Sequence, residues 1–362
     1  MEHNKIVQQK DHIILPKATL MRFKDNESQR IYYLDLNDIT VKHIYPKSYH
    51  ASPNYYNPEY DIIVKKHETA MGKLYKEIVT AIEHNEGMSI CAGALKKQII
   101  DFITVEFHRS VIANDSMLEK YKNKQQMEND IINSILFREG RMTAERSAYS
   151  VNYRQKAKSK EAFRNYAQNI LGTKNQAISS IYRTFSPQIL YIPMESDYHF
   201  LLPPLHFIGN DQFVCFILSP RIALALYPTL NGDSIISEAS KEKAEIINLR
   251  ILECASLFDP EYKEIVGKKF QLERIKERIE KIMSIVTISE SKIVVDANKE
   301  LCLVDMYDVL ETVIIFCLLF GVPEGTPKVQ MRVQNFDAKF FESSQKEVSD
   351  LFKKYSFNLM VQ

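Results

Sequence analysis

Apolar and polar residues alternate along this chain with two different periods, and the change divides the chain. Between 60 and 84, Ile63, His67, Met71, Leu74, Ile78 and Ile82 recur every three or four residues, so the spacing predicts one long amphipathic helix that ends before Gly87. A second helix is predicted over 89–112, with Leu95, Ile99, Phe102, Ile103 and Phe107 on its inner face. Helical periodicity with long charged faces continues over 115–185, including the locally basic Lys156–Lys160, which reads as a solvated face.

After Ser186-Pro187 the period shortens. Ile189–Ile192, Phe200–Leu202, Phe213–Leu218 and Ala223–Leu226 are short apolar runs separated by Pro, Gly, Asn and Asp, the pattern of a sheet. An earlier strand is expected at Ile31–Leu36, and the prolines at 46, 53 and 58 mark a loop around Asn54-Tyr55-Tyr56. Helices are predicted again over 237–257, with Ile246, Leu249, Leu252 and Ala255 inward, and from Asp259-Pro260 to Met283. The mixed Lys/Arg and Glu of 268–283 suggests an exposed helix or, failing that, a dimer-forming one.

Beyond 285 the expectation is a small α/β unit. Strands at Lys292–Asp296 and Leu301–Val304 would form a hairpin, followed by a helix at 305–320, a strand at Val329–Val333, a helix near 343–354 and a strand at Phe357–Val361. The predicted fold class is therefore α+β: a helix-rich domain with a mixed β-sheet over 1–284, and a small C-terminal α/β unit over 285–362.

Composition narrows the class further. Hydrophobic residues make up 45% and charged residues 26% of the 362 residues, the usual balance of a soluble chain with a sizeable core. With 47 Lys+Arg against 46 Asp+Glu, the whole molecule has no global attraction for nucleic acid or an acidic membrane, so binding of that kind needs a local patch. Five cysteines in no C-x2-C pair argue against a disulfide framework or a structural zinc site and for a reducing cytoplasm. Met1–Lys5 lacks a signal-peptide core, and the longest apolar run, Val313–Phe320, is too short to span a bilayer, so no membrane association is expected.

Candidate chemistry centres on His12, Glu68 and Arg109. His12 opens His12-x3-Pro16-x3-Leu20-x2-Phe23, Glu68 follows His67 on the first long helix, and Arg109 falls in the last turns of the second. An imidazole, a carboxylate and a guanidinium can together poise an acid–base group and hold an anion. The structural alternative is a Glu68–Arg109 ion pair tying two helices, with His12 as its cap. Asp337-Ala338-Lys339, with Glu342 nearby and Asp296 as another carboxylate, has the makings of a metal-dependent nuclease site, but so short a motif favours solvated charge. His199 and His206, among prolines and leucines, read as histidines at the edge of the core. Neither a phosphate-cradling glycine loop, nor a His-Glu-x2-His pair, nor a G-x-S-x-G elbow is present, so no cofactor can be named and no metal site is expected.

The order of these pieces, with Asn54-Tyr55-Tyr56, His67-Glu68-Thr69, Phe102-Ile103 leading to Arg109-Ser110, Ile217–Arg221 and Ile247-Asn248 through Ala255, resembles the mainly bacterial family catalogued as domain of unknown function 4238, over about 10–260. The chain departs from that pattern in having one residue more between His12 and Pro16, and in carrying Leu201-Leu202-Pro203-Pro204 where a Ser-Asp-x-Pro step is expected. The resemblance brings no established activity. Two functions are carried forward. One is an intracellular effector enzyme of host-defence (anti-phage) or toxin type, a nuclease or nucleotide-acting protein using His12, Glu68 and Arg109. The other is a non-catalytic module binding a protein, a ligand or a second copy of itself, in which the same network is structural.

Overall fold

Strand pairing between distant segments brings the polar groups of this chain together. A computed structural model describes residues 10–12, 14–53, 58–84, 94–99, 102, 106, 185–204, 207–209, 214–228, 236–256, 263–289, 292–296, 329–333 and 357–361. In chain order its elements begin with β1 (Lys10–His12), α1 (Lys17–Phe23), β2 (Ile31–Asp35), β3 (Thr40–Ile44), a short 3-10 turn at Pro46–Ser48, β4 (Ala51–Pro53) and α2 (Pro58–Glu83). There follow β5 (Phe185–Tyr191), β6 (Phe207–Gly209), β7 (Val214–Ser219), β8 (Ile222–Pro228), β9 (Ile236–Glu238), α3 (Lys241–Ser256), β10 (Glu264–Gly267) and α4 (Lys269–Ile285). Last come β11 (Val286–Ser289), β12 (Lys292–Asp296), β13 (Val329–Val333) and β14 (Phe357–Val361). The class is α+β.

The centre is a five-stranded mixed sheet in the order β6-β7-β8-β5-β9, antiparallel except for the parallel pair β5–β9. Successive residues of a strand face opposite ways, and this sheet uses both faces. Leu190, Cys215, Ile217, Ala223 and Ala225 join one core with α1, β2, β10, α3 and α4. Their alternates Ile189, Phe216, Leu218, Leu224 and Leu226 join a second core with Met71, Leu74 and Ile78 of α2 and with Leu95, Ile99 and Phe102 of the helical residues that follow. Pro187 sits in β5 beyond the stretch paired with β9, where its missing N–H leaves no bond unmade on that side. The strand therefore starts at Phe185, earlier than the apolar run Ile189–Ile192 suggested.

Several expectations are corrected. The helix expected from 259 to 283 is interrupted at Glu264–Gly267, which pairs antiparallel with β2; residues 259–262 lie outside the described residues. The β-branched pair Ile265-Val266 takes the open edge of β2, and Gly267 lets Leu201 pack against it: a Cβ there would stand 2.7 Å from Leu201 Cδ2. Phe200–Leu202 is not a strand, and only Leu202 pairs, as an isolated bridge to Val266. α4 is not wholly exposed, since Leu272, Ile275, Ile279 and Ile282 recur every three or four residues and are buried beneath its charged face. On α3, Ile246 is turned outward, and Ile247 and Ile251 are buried beside the expected Leu249, Leu252 and Ala255. The proline-rich loop at 45–58 contains a 3-10 turn and β4, which pairs with β1.

Strands β11 to β14 form a sheet of their own, antiparallel at β11–β12 and parallel thereafter. Both edges of β12 are occupied, by β11 and β13; the strand expected at 301–304, like the helices expected at 305–320 and 343–354, lies outside the described residues. The strands at Val329–Val333 and Phe357–Val361 have the bounds expected from the sequence. No helix among the described residues is long and apolar enough to cross a membrane.

Candidate functional site

A cluster of polar groups from distant parts of the chain comes from β2, β10 and the turn before β4. Glu264 stands opposite Asp35 in the β10–β2 register, and Tyr33, two residues before Asp35, projects to the same side. Like charges directly opposite each other are unfavourable. Each carboxylate has its own cation or imidazole. Lys42 of β3 bridges Asp35 and Asp38, both at 2.7 Å, and these hydrogen bonds raise its pKa. Glu264 meets His50, Nε2 to Oε2 at 3.0 Å, with both side chains largely buried.

Packing around the pair fixes it. Tyr49 is buried and meets the His50 ring edge-on at 4.5 Å between centroids, and it meets Tyr33 at 5.6 Å. Burial first, and the Glu264 charge second, push both tyrosine hydroxyls toward the neutral form, and Tyr49 also hydrogen-bonds to the Glu264 carboxylate. His50 itself has φ 41°. A left-handed backbone at a residue with a side chain is uncommon, and such strain gathers at functional positions. Nε2 of His50 faces the Glu264 carboxylate, the contact through which a carboxylate can orient an imidazole.

Of the three residues expected from the sequence, the structure describes two. His12 is buried on β1, where it is the register partner of Ala51, the residue after His50, so its strand borders the pair. Glu68 is half-buried on α2. Arg109 lies outside the described residues, as do His206 and the Asp337, Lys339 and Glu342 group. None of the protein-family models, curated proteins or solved structures compared with the chain matches it. Among the described residues no group of three or more His, Cys, Asp or Glu is placed to hold a metal ion.

Sequence reasoning missed both members of the pair. They lie 214 residues apart, one in a loop marked by prolines and the other inside an expected helix. The available signal was local: Ile265-Val266-Gly267 is a strand ending at a tight contact, which would have placed Glu264 at a strand start.

A second polar cluster serves structure. Asn248 of α3 accepts from Leu201 N and donates to His199 O, both at 2.8 Å, and Gln271 Nε2 of α4 donates to the same carbonyl at 2.8 Å. The His199 imidazole is buried, as expected, and burial, with Arg221 and Lys268 adding to it, pushes its pKa down to about 4. Cys215 lies inside the sheet, where burial pushes its thiol up to about 12 and keeps it a neutral packing group.

Proposed function

We propose that this chain is an acid–base enzyme of the intracellular effector type, acting on nucleic acid or a nucleotide, with His50 as the general base and Glu264 as the group that orients it. The observation that carries this reading is the His50–Glu264 pair at 3.0 Å, set against the buried Tyr49 and a strained backbone. An imidazole held in one tautomer removes a proton from a hydroxyl or a water, the step that opens attack on a phosphate ester, and positioned bases of this kind contribute about 10²–10⁴-fold. The Tyr49 hydroxyl, hydrogen-bonded to the same carboxylate, helps hold Glu264 in place. Membership of the family catalogued as domain of unknown function 4238 belongs to the same proposal and rests on the order of the sequence motifs. His12, whose strand pairs with the segment that follows His50, is kept in it as a group near the substrate.

The test is expression of the wild type beside His50→Ala and Glu264→Gln, scoring growth and the integrity of cellular RNA and DNA. The reading expects growth arrest with nucleic-acid or nucleotide breakdown for wild type only. Equal behaviour of all three at equal protein level would leave a non-catalytic module.

A further inference from the structure

Tyr33 and Asp35 lie on the Glu264 side of the β2–β3 ladder, and Tyr32 and Leu34 lie on its other face. Leu34 is buried in the core, but toward the start of β2 that face comes to the surface. Tyr32 stands opposite His43, with ring centroids 5.8 Å apart. Ile31 and Ile44 are the next pair of the ladder, and the residues that flank them, Arg30 and Tyr45, meet in turn. The guanidinium carbon of Arg30 lies 4.9 Å from the Tyr45 ring centroid. Arg30 is two residues from Tyr32, and Tyr45 two from His43, so both pairs share one face at a spacing of about 7 Å. Lys269, at the start of α4, brings its ammonium to 5.8 Å from the Tyr32 centroid. His43, Tyr45 and Lys269 are exposed, and so is the neighbouring Phe270.

We propose that this face is a stacking platform for a single-stranded nucleic acid, with successive bases on the Tyr45 and His43 rings and phosphates on Arg30 and Lys269. Exposed rings interleaved with cations suit an unpaired strand, because every base offers a flat face and every nucleotide a negative charge. A duplex cannot use such rings, since its bases are already stacked on one another. An acidic peptide would use the two cations and leave the rings idle. With 47 Lys+Arg against 46 Asp+Glu over the whole chain, attraction for a strand has to come from a local patch of this kind. In the adjoining turn, the Asp25 carboxylate is held by Ser28 N and Oγ, both at 2.8 Å, and Glu27 is exposed. The platform lies on the face of the ladder opposite Tyr33, Asp35 and Glu264, so binding there needs no chemistry at His50 and goes beyond it.

The test is fluorescence anisotropy of the purified full chain with labelled oligothymidylate and oligouridylate, against a DNA duplex of the same length and a polyglutamate peptide. Each probe is read with wild type and with His50→Ala, so that cleavage, confined to wild type, is distinguished from failure to bind. Both single strands are expected to bind both proteins alike. His43→Ala/Tyr45→Ala, at two exposed positions, should weaken binding by about tenfold or more, while Tyr45→Phe, which keeps the ring, stays close to wild type. Lys269→Gln should weaken binding and lower the slope of log affinity against log salt by about 0.7. The proposal is overturned if neither strand binds at about 0.1 mM protein in low salt, or if the double variant, with unchanged circular dichroism, binds as the wild type does. It is equally overturned if the duplex or the peptide binds as tightly as the single strands, or if His50→Ala abolishes binding.

Discussion

His50 and Glu264 meet at 3.0 Å, Nε2 to Oε2, although 214 residues separate them. The contact exists because β10 pairs with β2, which sets Glu264 at the strand's first residue, and because β4 pairs with β1, which anchors the turn carrying His50. Two independent strand pairings thus converge on one polar contact.

The strain at His50 gives a first expectation. Its φ of 41° costs about 1–2 kcal/mol for a residue with a side chain. His50→Gly relieves that strain but loses the Glu264 contact and the Tyr49 ring contact, so folding stability should change by less than about 1 kcal/mol in urea titrations, while any activity is lost. A large drop in stability with activity retained would make the pair scaffolding.

Gly267 is a packing requirement. A methyl group there would stand 2.7 Å from Leu201 Cδ2 and 3.1 Å from Leu272 Cδ2. Gly267→Ala should destabilise the fold by about 1–3 kcal/mol. Leu201→Ala should cost less in the Gly267→Ala background than in the wild type, a non-additivity that a double-mutant cycle reads directly.

Asn248 holds the segment 199–201 against α3 by a bond at each end of its amide, to Leu201 N and His199 O. Asn248→Ala leaves the buried Leu201 N–H without that acceptor, and unfolding should become easier by about 1–3 kcal/mol. Asn248→Asp should fare no better, since it keeps the acceptor but loses the donor to His199 O.

Acid stability should depend on His199. Its folded pKa lies near 4 against an ordinary value of 6.5, so between those values the unfolded chain takes up a proton that the folded chain refuses. Stability conferred by the neutral imidazole is complete above about pH 6.5 and declines as pH falls toward 4. Urea midpoints of wild type and His199→Leu should diverge over that window, the variant losing about 1–3 kcal/mol less on acidification.

Much of the architecture could be read from period and punctuation. Met71, Leu74 and Ile78 share one predicted helix face and are buried there, and the apolar runs at 213–218 and 223–226 correspond to β7 and β8. The register shift within those readings came from residues whose neighbours are tertiary. Ile246 faces solvent because Ile247 and Ile251 point better into the core. Glu264–Gly267 abandons helical surroundings because β2 offers an unpaired edge. The site was harder for the same reason. His12 could be singled out by its motif, and its strand does border the turn of His50. His50 and Glu264 carry no motif, and only the pairing of β10 with β2 tells a reader of the sequence that they meet.

Turnover by purified protein tests the central claim most directly. RNA, single-stranded DNA and nucleoside triphosphates would be incubated with wild type, His50→Ala and Glu264→Gln, each first shown to be folded by circular dichroism. The account predicts turnover of at least one substrate by wild type, with a loss of about 10²–10⁴-fold in His50→Ala and a smaller loss in Glu264→Gln. Undiminished turnover in His50→Ala, or none by wild type on any of the three, would contradict it.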